Sequence, residues 1–319
     1  MVKPIPLQNV SRPEEGESES VFWRDDRTPE QENRKITKDL TLEIENRLRV
    51  LLDTSDYTPP NLAAAMRHAL LGGGKRFRPL HFVLTILQPA HRGLAVDVGC
   101  AIEMVHTASL IFDDLPCMDD AALRRDKPTT HVVFSQSTAI LAGISPLTRG
   151  MNILATIEGL PGEARARLVA SLSLAVGATG LAAGQEVDLN DGQSPEIDVE
   201  RKNWLKTGRL FAAMAEMACI LDQRSSDQSE ALAEMAFHVG SAFQALDDLL
   251  DVLALTQSLG KDSGKDIGKR TLMSERGEAN TRRSYYSHIG FATSALRRCG
   301  VEDGPICYMF RSIDRLVPP

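Results

Sequence analysis

Long apolar runs are missing from this 319-residue chain. No stretch approaches the roughly 20 consecutive apolar residues that a membrane span needs, so no spanning helix is expected. Cysteine is sparse: Cys100, Cys117, Cys219, Cys299 and Cys307 form no CxxC pair, and no secretory signal precedes them. Reduced thiols in a cytoplasmic setting are therefore expected. An excess of basic charge is absent as well, with 36 Lys and Arg against 43 Asp and Glu and a net charge of -7. That balance argues against a nucleic-acid partner and against attraction to an anionic membrane. An acidic protein that handles anions must concentrate its basic residues locally. Residues 1–35 have no hydrophobic run and are rich in Glu, Ser, Arg and Pro, which reads as a disordered extension. Their acidic content also differs from the basic, acid-poor composition of a transit peptide. No internal repeat is found.

From Ile36 on, apolar residues recur at helical spacing in LTLEIENRLRVLL, VGCAIEMVHTASLIF and LVASLSLAVGATGLAAG. β-Branched alternation is scarce and the breaks carry Gly, Pro, Asn or Asp, so the fold class is all-α. A hydrophobic content of 43% supplies ample core. The break at Gly159–Gly162 separates two acidic motifs that belong to one site, so residues 36–319 are read as a single helical domain.

The first motif, DDLPCMDDAALRRDKPTTH, runs from Asp113 to His131 and puts Asp113, Asp114, Asp119 and Asp120 within eight residues. An acidic run alone often reads as a solvated loop. Carboxylates this close repel unless a cation neutralises them, and clustered hard oxygens suit Mg2+. In an unbroken helix Asp113 and Asp119 would lie about 120° apart. Pro116 disfavours that helix, and a bulged end would swing Asp119 back beside Asp113. The second motif, DDLLD, carries Asp247, Asp248 and Asp251. Asp247 and Asp251 share a helix face, with Gln244 a turn earlier. Two acidic clusters embedded in apolar helices read as opposing walls of one cavity that holds metal between them.

These motifs, with GGGKRFRP (Gly72–Pro79), GQEVDL (Gly184–Leu189), KTGRLF (Lys206–Phe211) and GKDSGKD, resemble the trans-isoprenyl diphosphate synthases, and the geranylgeranyl diphosphate synthases of bacteria and plants in particular. The resemblance spans roughly residues 38 to 315. It implies a helical bundle around a large central cavity, a homodimer, and Mg2+-dependent condensation of isopentenyl diphosphate with dimethylallyl, geranyl or farnesyl diphosphate. It assigns the metal to Asp113, Asp114, Asp119, Asp247, Asp248 and Asp251, with support from Asp188 and Gln185. Isopentenyl diphosphate falls to Lys75, Arg78, His106 and Arg125. The allylic and leaving diphosphate falls to Arg124, Lys206, Thr207, Gln244, Lys261 and Lys269, with Lys265 and Asp266 ordering the loop. Asp113, Asp119, Arg124, Lys206, Asp247 and Lys261 carry the reaction itself. By sequence alone, His106 reads equally well as an ordinary core histidine.

Two departures stand out. Asp126 occupies a position where the family usually has Gly, and GISPLTRG (Gly143–Gly150) replaces an acidic segment, with Pro146 placed to kink its helix. Product length is expected to follow cavity depth. Ala108 and Ser109, five and four residues before Asp113, would line the wall about 6 to 7.5 Å below the metal. Their small size favours geranylgeranyl diphosphate, although small residues also permit close helix packing.

Overall fold

Apolar periodicity of 3.6 builds nearly everything seen. The computed structural model describes residues 30–52, 57–190, 196–256, 270–301 and 304–314. In chain order the helices are α1 (Glu30–Leu51), α2 (Pro60–Leu71), α3 (Phe77–Leu84), α4 (Arg92–Asp113), α5 (Thr130–Val133), α6 (Gln136–Thr156), α7 (Gly162–Val176) and α8 (Leu181–Leu189). Then follow α9 (Val199–Asn203), a π-helical segment (Trp204–Gly208), α10 (Arg209–Asp222), α11 (Ser226–Thr256), α12 (Leu272–Arg298) and α13 (Gly304–Asp314). Helix starts follow the local chemistry. Pro60 opens α2, where its missing N–H is not needed. Ser135 and Asp198 cap α6 and α9 through their side chains, and Thr271 with Ser274 forms a capping box on α12. α12 bends at Gly277, whose φ of 74° no helix adopts.

α4 is the central rod, with Ala95, Val98, Cys100, Ala101, Ile102, Met104 and Val105 almost fully buried. It packs on α6 through glycine: a Cβ at Gly143 would overlap the Phe112 ring, and one at Gly150 would meet the Ala101 carbonyl. α6 continues through the buried Pro146 without a break. α11 packs along α12 and against α10, completing the opposite side.

Several expectations are revised. α1 begins at Glu30, six residues before the expected boundary, and buries Asn33; residues 1–29 lie outside the described residues. A two-residue hairpin, β1 (Leu123–Arg124) against β2 (Lys127–Pro128), interrupts the all-helical pattern. Two stretches, Pro89–Asp113 and Gly162–Leu189, prove long and apolar enough to cross a membrane by length and composition. The first is 78% buried inside the fold, which accounts for its apolarity as core; the second is only 28% buried.

Candidate active site

The acidic turn after α4 folds back as its proline requires. The helix ends at Asp113, and the Asp119 amide donates to the Asp113 carbonyl at 2.9 Å while the Ala121 amide donates to Asp114 at 3.2 Å. This closure brings Asp119 beside Asp113. Asp120, at φ 47°, adopts the left-handed backbone that turns the chain into the hairpin. The Asp113 carboxyl is pushed up to about 6, chiefly by burial; Asp119 and Asp114 push the same way, while Lys206 and Arg124 oppose them.

The facing wall is α11. Asp247 is pushed up to about 7, again chiefly by burial, with Asp248 adding to the shift and Arg78, Lys206 and Arg124 opposing it. Lys206 and Arg124 thus act on both carboxyls, so Asp113 and Asp247 face the same two cations across one space. A buried carboxyl with a raised pKa and a neighbouring acid is a site that a cation would stabilise. Among the described residues no three acidic, His or Cys side chains converge into a ready-made metal cage. Magnesium does not require one, since it commonly takes one or two carboxylates and completes its octahedron with waters and substrate phosphates.

Three expected metal ligands carry protein partners. Asp114 Oδ1 accepts from Arg124 Nε at 2.9 Å and Nη2 at 2.6 Å. Asp248 accepts from Gln244 Nε2 at 2.8 Å and from the Leu272 amide at 2.7 Å, so it clasps the start of α12 to α11. Asp188 accepts from Lys206 Nζ at 2.7 Å and Lys202 Nζ at 2.9 Å. In each case the carboxylate accepts from protein donors, and Asp114 does so through Oδ1. Thr207 Oγ1 donates to Gln244 Oε1 at 3.1 Å, which ties the π segment to the second motif. Gly184 lets α8 touch that segment: a Cβ there would lie 2.2 Å from the Lys206 nitrogen. The neighbouring Gln185 is buried with neither amide atom hydrogen-bonded in the protein. A π turn shifts side chains out of α-helical phase and is frequent at functional sites.

A second basic cluster lies beside the first, on the same face of α4: His106 is seven residues before Asp113, about 20° away around the axis, and Arg78 acts on Asp247. Arg78 stacks over Phe211 and Phe243, 5.3 and 5.1 Å from their centroids, and its Nη1 meets His106 Nε2 at 3.1 Å. Burial, followed by Arg78 and Arg125, holds His106 well below its ordinary pKa, so the ring is neutral and its Nε2 accepts. Arg125 donates to the Gly73 carbonyl at 2.6 Å. Gly74, at φ 123°, has Arg125 where a Cβ would stand, 2.5 Å from Nη1. Arg125 and Asp126 form the hairpin turn at φ 54° and 61°, a two-residue turn with both positions left-handed, which explains why glycine suits the second. Lys75 is exposed. Arg76 points the other way. It is 1% exposed and pairs with Glu103 at 2.9 Å and Glu45 at 2.5 Å, while its Nη2 donates to the Leu70 carbonyl at 2.6 Å. Glu103 also lies 3.8 Å from Arg125, so one buried acid supports both arginines.

The Polyprenyl synthetase pattern matches residues 59–276, which contain both acidic walls and both basic clusters. The chain belongs to this family. It is 40% identical over 269 residues to a geranylgeranyl diphosphate synthase of Pseudescherichia vulneris, covering 82% of this chain and 86% of that one. It is 36% identical over 262 residues to a farnesyl diphosphate synthase of Geobacillus stearothermophilus, covering 79% and 87%. Among solved structures, a geranyltransferase from Legionella pneumophila superposes with a TM-score of 0.79 at 28% identity, covering 90% of this chain and 98% of that one. The protein is a prenyltransferase that elongates prenyl chains, built on the all-α isoprenoid synthase fold.

In this synthetase Ser109 lies about 40° from Asp113 around α4, one turn below it, whereas Ala108 lies about 140° away. Ala108 is 1% exposed and falls on the stripe of Ala101, Val105 and Phe112 that meets α6. Ser109 is half-buried and donates back to the His106 carbonyl at 2.8 Å. Lys261, Lys265, Asp266 and Lys269 lie outside the described residues. A separate cavity of about 650 Å³ lies beside α11, lined by Trp204, Phe237, Arg276 and His288, and reaches Gln244. Sequence reasoning passed over Glu103 and Lys202. Glu103 had a signal, a lone acid in the apolar run CAIEMV three residues before His106; Lys202, in the polar segment VERKN, had none.

Proposed function

We propose that this prenyltransferase joins isopentenyl diphosphate head-to-tail to allylic diphosphates and releases all-E geranylgeranyl diphosphate, with Mg2+ as cofactor. The observation that carries this reading is the pair of buried, raised carboxyls, Asp113 and Asp247, set around Lys206 and Arg124, with a second basic cluster close by. Asp113, Asp119, Asp247 and Asp251 are the residues that would hold magnesium, which when bound supplies charge neutralisation for a diphosphate. Lys206 and Arg124 direct N–H groups at the leaving oxygens, where negative charge grows as the allylic C–O bond breaks. Arg78, Arg125, Lys75 and neutral His106 hold the diphosphate of isopentenyl diphosphate, so that its double bond faces the new cation. That double bond attacks, a C–C bond forms, and a proton leaves to the departed diphosphate. No protein base is needed. The apolar walls exclude water, which would quench the cation.

The small Ala108 and Ser109 support a product longer than farnesyl. Exposed Ile140, Leu141 and Ile144 on α6, beside Val132 and Val133 of α5, form an apolar face suited to a homodimer in the cytoplasm. Incubation with labelled isopentenyl diphosphate, Mg2+ and each of dimethylallyl, geranyl and farnesyl diphosphate tests the reading. A C20 product is expected from all three starters. A product that stops at C15 would overturn the chain length, and no condensation with any starter would overturn the reaction.

A further inference from the structure

Lys202 and Lys206 share one carboxylate but differ in freedom. Both reach Asp188, on separate oxygens, at 2.9 and 2.7 Å. The Lys202 side chain is 4% exposed, and its Nζ also donates to the Arg270 carbonyl at 2.7 Å. Arg270 is itself anchored, since its Nη2 donates to the Ile197 carbonyl at 3.1 Å. The Lys206 side chain is 27% exposed and lies within electrostatic reach of Asp113 and Asp119. One lysine is locked in the protein, and the other opens on the reaction space.

We propose that Lys202 is a positioning residue that frees Lys206 for the allylic diphosphate by keeping Asp188 paired when Lys206 turns to the leaving group. The inference rests on the assignment of Lys206 to that diphosphate. The physical reason is the cost of a buried, unpaired carboxylate. If Lys206 were the sole cation on Asp188, its move to a phosphate oxygen would strand a charge 8% exposed, and the ion pair would compete with substrate. With Lys202 on Oδ1, the carboxylate keeps a cation throughout while Lys206 turns to the anion. Lys202 touches no reacting atom; it sets how strongly Lys206 is held back.

The test is steady-state kinetics of the full chain with both substrates varied. Lys202→Met should raise the allylic KM about 10-fold or more and lower kcat, leaving the isopentenyl diphosphate KM within about twofold. Lys202→Arg should stay close to wild type. Adding Asp188→Asn to Lys202→Met should recover most of the lost kcat, because no carboxylate remains to hold Lys206. A structural role would give no such recovery, since the double variant only loses more contacts; thermal melting of each variant reports that loss separately. Lys202→Gln serves in place of Lys202→Met if the latter does not fold. An unchanged allylic KM, parallel changes in both KM values, or no recovery in the double variant would overturn the proposal. Lys206→Met separates the two levels. If it leaves allylic binding and kcat intact, the assignment of Lys206 itself fails; if it cripples them while Lys202→Met does not, only the role of Lys202 fails.

Discussion

The Asp119 amide donates to the Asp113 carbonyl at 2.9 Å, a closure across six residues that no α-helix makes. It replaces the helical separation of about 120° with adjacency, and it leaves both side chains beside Lys206 and Arg124. The acidic turn is therefore an instrument for pairing carboxylates, and the hairpin that follows delivers Arg124 to Asp114 and Arg125 to the Gly73 carbonyl.

The hairpin turn gives a first prediction. Asp126 holds φ 61° next to Arg125 at φ 54°. Asp126→Gly should relieve up to about 1 kcal/mol of left-handed strain and remove a carboxylate beside the anion site. A higher melting temperature and a lower KM for isopentenyl diphosphate are expected. A rise in that KM would show that Asp126 contributes to binding.

Glu103 carries the second. It is 1% exposed and neutralises Arg76, which is buried equally deeply. Glu103→Gln should destabilise the fold by about 3–5 kcal/mol, the usual cost of stranding one member of a buried ion pair. Urea unfolding measures it, and a loss under about 1 kcal/mol would place the neutralising charge on Glu45 instead.

A third concerns pH. Asp247 and Asp113 have folded pKa values near 7 and 6 against an ordinary value of 3.8. The native state then binds more protons than the unfolded chain between about pH 4 and 7, so these groups favour folding at low pH and lose that contribution as pH rises through the folded pKa. The stability gained by Asp247→Asn over the wild type, both metal-free, should grow from pH 5 to pH 8 and level off above it. A gain that shrinks with pH would contradict the burial of that carboxyl.

Product length supplies a fourth. Ser109→Phe puts a ring on the Asp113 face one turn down, and the main product should shorten to farnesyl with little change in melting temperature. Ala108→Tyr should shorten it too, but at a cost of about 1–3 kcal/mol, because the ring must enter the α4–α6 seam. Chromatography of the dephosphorylated products reads both. An unchanged C20 product from Ser109→Phe would move the end of the cavity elsewhere.

The helical architecture was legible because nearly every element carries its own apolar period. The site was legible where charge contradicted that period: four aspartates after SLIF, and DDLLD inside an apolar helix. Pro116 even indicated how Asp119 returns to Asp113. What stayed hidden depends on long-range pairing. Arg76 sits in the same GGGKRFRP run as Lys75 and Arg78, and only the three-dimensional fold turns it inward to Glu103 and Glu45. Asp188 and Asp248 carry the residue type of metal ligands, and their pairing with Lys202, Lys206, Gln244 and the Leu272 amide is set by how α8, α9 and α12 pack. The π turn at Trp204–Gly208 lies against Gly184, a close approach that no local pattern announces.

The central claim is that Asp113 and Asp247 grip one diphosphate through shared cations. It is tested most directly by calorimetric binding of an unreactive allylic thiodiphosphate, with and without Mg2+, to the wild type, Asp113→Asn, Asp247→Asn and the double variant. Binding should require Mg2+, and each single variant should lose at least about 10-fold in affinity, roughly 1.4 kcal/mol. The double variant should be far less impaired than the sum of the two losses, because either one dismantles the same site. Fully additive losses, or binding indifferent to Mg2+, would show that the two walls act apart.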